Sequence, residues 1–243
     1  MANRLLDRQV ELLEYLTSGA AIFGDGGDAA HEAAWHGIDR SSLRLEARFS
    51  HEKRMEKIAV VFRRTLKILG DDASAVVRAF AAACPPVDIS RIENARQFHD
   101  FLCDRLRCER LDLPFVRDVA ACELAFAKAR VGVEEGEPQA RSDEDRDGIR
   151  RRRGLVLLRC VYDIRPIFEG GSGEAAPIKR DTPLAIGIPP GADEPRVLEL
   201  LPAVFDLVAA LDDWTDPAAL GATPELQALI RDLAQHGVLE VRG

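Results

Sequence analysis

The sequence predicts an α+β protein, with an all-α N-terminal domain followed by a small winged-helix-like domain of three strands and three helices. Three observations predict it. Apolar residues recur at helical spacing from the start to about residue 131. Residues 132–153, GVEEGEPQARSDEDRDGIRRRR, are charged and nearly free of large apolar groups, as in a linker or long exposed loop. Beyond them the chain turns β-branched and apolar, then returns to helical periodicity. The expected division is therefore 1–131, helical; 132–153, linker; and 154–243, winged-helix-like.

Each element has its own signal. Leu5, Leu6, Val10, Leu13 and Leu16 form the first amphipathic stripe, ended by FGDGGDAAHEAAWHG. Arg48 to Leu69 reads as one long helix, with Met55, Ile58, Val61, Phe62, Leu66 and Leu69 at helical spacing, stopped by Gly70. Asp71-Asp72 can cap the next helix, which carries Val76, Val77 and Phe80 before Pro85-Pro86. Phe98, Phe101 and Leu102 mark another, and Val116, Val119, Ala120, Leu124 and Phe126 the last of the domain. LVLLRCVYDIRPIF reads as a strand, PLAIGIPP as a second and RVLEL as a weaker third. LPAVFDLVAALDDW is an amphipathic helix and DPAALG a helical turn. TPELQALIRDLAQH is a helix with Thr223 as N-cap and Pro224 at its first position, and VLEV closes as a strand.

Composition narrows the function classes. At 243 residues, 47% hydrophobic and 30% charged, the chain can fold without disulfides or metal. Five cysteines form no C-x-x-C pair and suit a reducing compartment. No apolar run reaches a membrane span and the N-terminus lacks a signal-peptide core, so the expected location is the cytoplasm.

No catalytic constellation emerges, and no catalytic residue is assigned. HEAAWH places its histidines five apart, so it is not the H-E-x-x-H of a metalloprotease. GDGG lacks the strand before it and the Lys-Ser/Thr pair of a phosphate loop. There is no G-x-S-x-G elbow. His99 and Cys103 share a helix face with Cys108 following, which could begin a metal site, but no second pair has ligand spacing; a core thiol beside Phe98 and Phe101 is the competing reading. No metal residue and no cofactor is assigned.

Charge is more informative. Between Arg40 and Lys67 nine basic residues face three acids, and Arg40, Arg44 and Arg48 line one helix face. That face is either solvated and laced with ion pairs or a binding surface. Arg150 to Arg153 is a second basic cluster, neutralised by Asp143, Glu144, Asp145 and Asp147. From Glu194 to Gly243 nine acids oppose three arginines, a net of −6. A DNA reader needs cations on about 6–10 phosphates and Arg, Lys, Asn or Gln on its recognition helix, so DNA is the poorer ligand. A winged-helix shape without positive charge suits a peptide reader instead, with an extended peptide added to a strand edge beside the last helix. The competing reading is that these strands only complete a core.

Two stretches resemble known families. KRMEKIAVVFRRTLKILGDDASAVVRAFAAACPP, continued by ARQFHDFLCDRL and LPFVRDVAACELAFAKAR, is similar to the helical domain of partner proteins of multinuclear non-haem iron oxidases. Those methanobactin-type enzymes modify cysteines in ribosomally made precursor peptides, and the partner domain is labelled DNA-binding in some relatives. From about Leu155 to the end, with LPAVFDLVAALDDWTDPAAL and LIRDLAQHGVLEV, the chain resembles the precursor-peptide recognition element of such pathways. The resemblance implies a non-catalytic partner subunit with two partners, an iron-dependent oxidase that holds the iron itself and a ribosomal precursor peptide. It implies peptide contacts at Leu184, Ile186 and Ile188, or around Val197 to Leu200, and on the helix face of Leu226, Gln227 and Ile230. Arg40, Arg44 and Arg48 are the candidate surface for the oxidase. The alternative is a winged-helix transcription regulator.

Overall fold

The computed structural model describes residues 2–23, 39–86, 90–108, 113–134, 148–169, 176–221 and 223–242. The chain is of mixed α and β structure and divides into two compact units, Met1–Pro114 and Phe115–Gly243. GDGG and the histidines of HEAAWH lie outside the described residues, as do Asp143 to Asp147.

The first unit is helical: α1 (Ala2–Leu16), α2 (Gly19–Phe23), α3 (Arg40–Val61), α4 (Arg63–Leu69), α5 (Asp72–Ala83) and α6 (Arg91–Cys108). Asp39 caps α3, accepting from the Ser41 and Ser42 N–H groups at 3.2 Å each and from both hydroxyls. Those serines hold its carboxyl at a pKa of about 2. The single long helix expected from Arg48 to Leu69 is broken at Phe62, whose φ of −100° and ψ of 39° end α3 and start α4. The break lets the Phe62 ring enter the core, 5.0 Å from Phe98, which Phe80 meets edge-on at 5.2 Å. Gly70, at φ 55°, stops α4. The α1 stripe turns outward: Leu6, Val10 and Leu13 are exposed, while Tyr15 is buried with Leu12 and Leu16 packed beside it.

The second unit holds α7 (Val116–Glu134), β1 (Gly148–Arg151), β2 (Val156–Asp163), α8 (Arg165–Phe168), β3 (Ile178–Gly187), β4 (Arg196–Glu199), α9 (Pro202–Ala210), a 3₁₀ turn (Pro217–Leu220), α10 (Pro224–Gln235) and β5 (Leu239–Arg242). The expected boundary at residue 131 shifts to Pro114/Phe115, because α7 packs on β2 and β3. Nor does a linker run to residue 153. Gly148 to Arg151 pair antiparallel with β5, and Ile149 is fully buried. A run of arginines hid this strand. Arg150 binds Glu240 at 2.7 Å and Arg151 pairs with Asp212, so these two charges are compensated across the fold.

The three strands β2, β3 and β4 form an antiparallel meander with β3 in the middle. One face carries Leu157, Ala185 and Leu198, packed into a core with Val208, Leu211, Ile230 and Leu233. Val156, Leu158, Leu184 and Ile186 alternate onto the other face, against which α7 lies. β3 is longer than PLAIGIPP suggested, because Ile178 and Lys179 also pair with β2, at Asp163 and Tyr162.

Candidate functional site

The two edges of the meander differ. Along β2 the register with β3 shifts between Cys160 and Tyr162, where Val161 alone stands opposite Arg180 and Asp181, a bulge in β3. The Asp118 carboxylate, from the first turn of α7, accepts from the Val161 and Tyr162 N–H groups at 2.8 Å each. Burial raises the Asp118 pKa against the opposing pull of those two bonds. This edge is closed at Val161 and Tyr162. Buried beside it, the Cys160 thiol is pushed up to about 12 by desolvation and by Asp118 and Asp163, which leaves it no thiolate at neutral pH.

On β4 the edge is open: among the described residues β3 is its one strand partner. Leu200 donates to the Pro183 carbonyl at 2.9 Å, which fixes the phase of the ladder. Counting along the register, Leu198 and Arg196 face β3 with their backbone groups, while the N–H and C=O of Val197 and Glu199 point away from the sheet. Those outward groups are what an added strand pairs with.

Apolar surface borders this edge. Leu201, two residues beyond β4, is 73% exposed. Leu198, Phe205, Leu226 and Leu229 are partly buried against the core shared with α9 and α10. Glu199 is tied down by a closed ring of charge. Arg165 binds Asp163 at 2.7 Å and Glu199 at 2.6 Å, and Arg180 binds both at 2.6 Å. The two guanidinium groups hold Asp163 well below the usual carboxylate range. The ring joins β2, α8, β3 and β4 and so fixes the edge strand's position.

The structure separates the residues singled out by sequence. Leu184 and Ile186 are fully buried, and β3 is paired on both sides there, so an added strand has no backbone to reach. Ile188 lies beyond the strand and is half-buried. Ile230 is a core residue at 6% exposure, because Leu226, Ile230 and Leu233 form the inward stripe of α10. Leu226 is half-buried and Gln227 exposed. The second stretch named by sequence, Val197 to Leu200, coincides with the open edge. Leu201 and Phe205 went unread; a large apolar residue directly before a helix-opening proline was their signal.

Arg40, Arg44 and Arg48 all lie exposed on α3, and beside them stand the exposed Leu45 and Phe49. Arginine interleaved with large exposed apolar groups is the composition of a contact surface. His99 Nε2 lies 3.5 Å from the Cys103 sulfur while its Nδ1 meets Asp100 at 3.1 Å. Among the described residues no three His, Cys, Asp or Glu side chains gather where a metal ion could be held. No described helix is long and apolar enough to cross a membrane.

On the β1–β5 side, Trp214 is stacked between the guanidinium groups of Arg150 and Arg242, each 4.4 Å from its ring. This fastens the two-stranded ribbon to the loop before the 3₁₀ turn. No protein-family model matches the chain, and no curated protein matches its sequence.

Proposed function

We propose that this protein is a non-catalytic partner subunit in the maturation of a ribosomally made peptide. Its second unit, a winged-helix-like recognition element, captures the precursor's leader as an added strand along β4. Its first unit docks on an iron-dependent oxidase that modifies a cysteine of the precursor, through the α3 surface of Arg40, Arg44 and Arg48. The iron belongs to that enzyme, the two proteins act as a heterodimer, and the setting is the cytoplasm.

The open β4 edge carries this reading. Its outward backbone groups at Val197 and Glu199 supply affinity without regard to sequence, and the exposed Leu201 with the half-buried Leu198 and Phe205 supplies selection for apolar side chains. The order β2-β3-β4, α9, 3₁₀ turn, α10 supports the recognition-element reading of this unit. The transcription-regulator reading finds less support, since the exposed face of α10 carries Glu225 and Asp232 against Arg231.

Co-expression tests it. Tagged protein produced with the oxidase and Cys-bearing peptide encoded beside it should co-purify as a stoichiometric complex. A protein that runs alone, binds no neighbouring peptide and instead shows salt-dependent affinity for a promoter fragment contradicts the proposal.

A further inference from the structure

A second candidate site lies in the helical unit. A cavity of about 320 Å³ opens between α1, α2, α3 and the start of α6, within the range of small-molecule sites, roughly 300–1,000 Å³. Leu13, Leu16, Ile22 and Pro86 supply its apolar wall. His51, Lys53, Arg54 and Lys57, all on α3, supply nitrogen, and no carboxylate is among the described residues that line it.

Arg54 sets the character of the cavity. It is 8% exposed, yet its partners are neutral. Nε donates to Asn94 Oδ1 at 2.8 Å, one terminal nitrogen to the Cys84 carbonyl at 2.6 Å, and the other to Gln97 Oε1 at 3.0 Å. The Phe80 ring lies 4.5 Å from the guanidinium carbon. These contacts fix the orientation of the fork but leave its charge uncompensated, and each terminal nitrogen keeps one more N–H. Buried charge is ordinarily paired with an opposite charge. Burial and the Arg54 charge also lower the His51 pKa, as expected where positive charge already gathers.

We propose that this cavity binds a small amphipathic carboxylate, its head group among Lys53, Arg54 and Lys57 and its hydrocarbon tail against Leu13, Leu16 and Ile22. A planar guanidinium with two parallel N–H groups matches a carboxylate in geometry as well as charge. The apolar wall adds affinity that a bare inorganic anion cannot use.

Titration of the full chain with octanoate, followed by amide NMR and calorimetry, tests the assignment. Octanoate should bind with a Kd of about 1 mM or tighter and shift the amides of Leu16, Ser50, Arg54 and Asn94. Octylamine should not bind there, and inorganic phosphate should not displace octanoate at equal concentration. Lys53→Gln with Lys57→Gln, the first exposed and the second half-buried on α3, should weaken octanoate at least about tenfold, with a retained melting temperature showing that the fold is kept. Arg54→Met probes the same charge but also removes three internal hydrogen bonds, so the lysine pair decides. The proposal is overturned if 1-octanol binds as tightly as octanoate, if phosphate competes equally, or if the lysine pair leaves affinity unchanged.

Discussion

Arg180 on β3 and Glu199 on β4 are joined across neighbouring strands at 2.6 Å, and the same guanidinium reaches Asp163 at the end of β2. One arginine thus spans all three strands of the meander, and Arg165 closes the ring from α8. An edge strand of four residues has little pairing of its own; this ring gives it a fixed position from which to receive another strand.

The ring makes stability fall in acid. Asp163 has a folded-state pKa below its unfolded value, so its contribution is present above the unfolded pKa and is lost as pH falls toward the folded one. Asp163→Asn should cost about 1–2 kcal/mol at neutral pH, with the deficit shrinking below about pH 4. Urea denaturation of both proteins across that range measures it.

Asp118 carries the opposite sign. Burial raises its folded-state pKa, so its contribution is fully present below the unfolded pKa and declines as pH rises through the folded value. Asp118→Ala, which strands the Val161 and Tyr162 N–H groups, should cost about 2 kcal/mol. Asp118→Asn keeps an acceptor and should cost less. Thermal melts of the two variants, compared at one pH, distinguish capping of the β2 edge from general packing.

On α10 the division between core and surface is sharp. Ile230→Ala should destabilise by about 2–4 kcal/mol, and Gln227→Ala should stay within about 0.5 kcal/mol. Equal stability losses in denaturant titration would mean that the inward stripe of α10 is misplaced.

The α3 surface is testable by charge reversal. Arg40→Glu, Arg44→Glu and Arg48→Glu together should leave the melting temperature nearly unchanged, because all three side chains are exposed. They should slow association with the oxidase, most strongly at low salt, in surface plasmon resonance. An unchanged association rate would move the docking surface elsewhere.

Element types were largely legible because period carries them. Thr223 and Pro224 announced α10, and the Thr223 hydroxyl accepts from Leu226 N–H at 3.2 Å as a cap should. The third strand, weak in sequence, is β4. What periodicity could not show is which strand stands at an edge, since sheet order is a property of tertiary pairing; Leu184 and Ile186 looked like docking residues and are the middle of the sheet. β1 escaped because its arginines find partners far along the chain, at Asp212 and Glu240. The break at Phe62 escaped for a related reason, as the pull of an aromatic core on one side chain leaves no gap in the helical pattern.

The most direct test of the peptide edge is a single substitution, Val197→Pro. The Val197 N–H points away from β3, so proline removes a donor from the outer edge without taking a bond from the β3 ladder, and edge strands tolerate proline. Fluorescence anisotropy with the labelled precursor leader should show binding to the parent protein and a loss of at least about tenfold in the variant, with its melting temperature retained. Undiminished leader binding by a folded Val197→Pro protein would contradict capture of the peptide along β4.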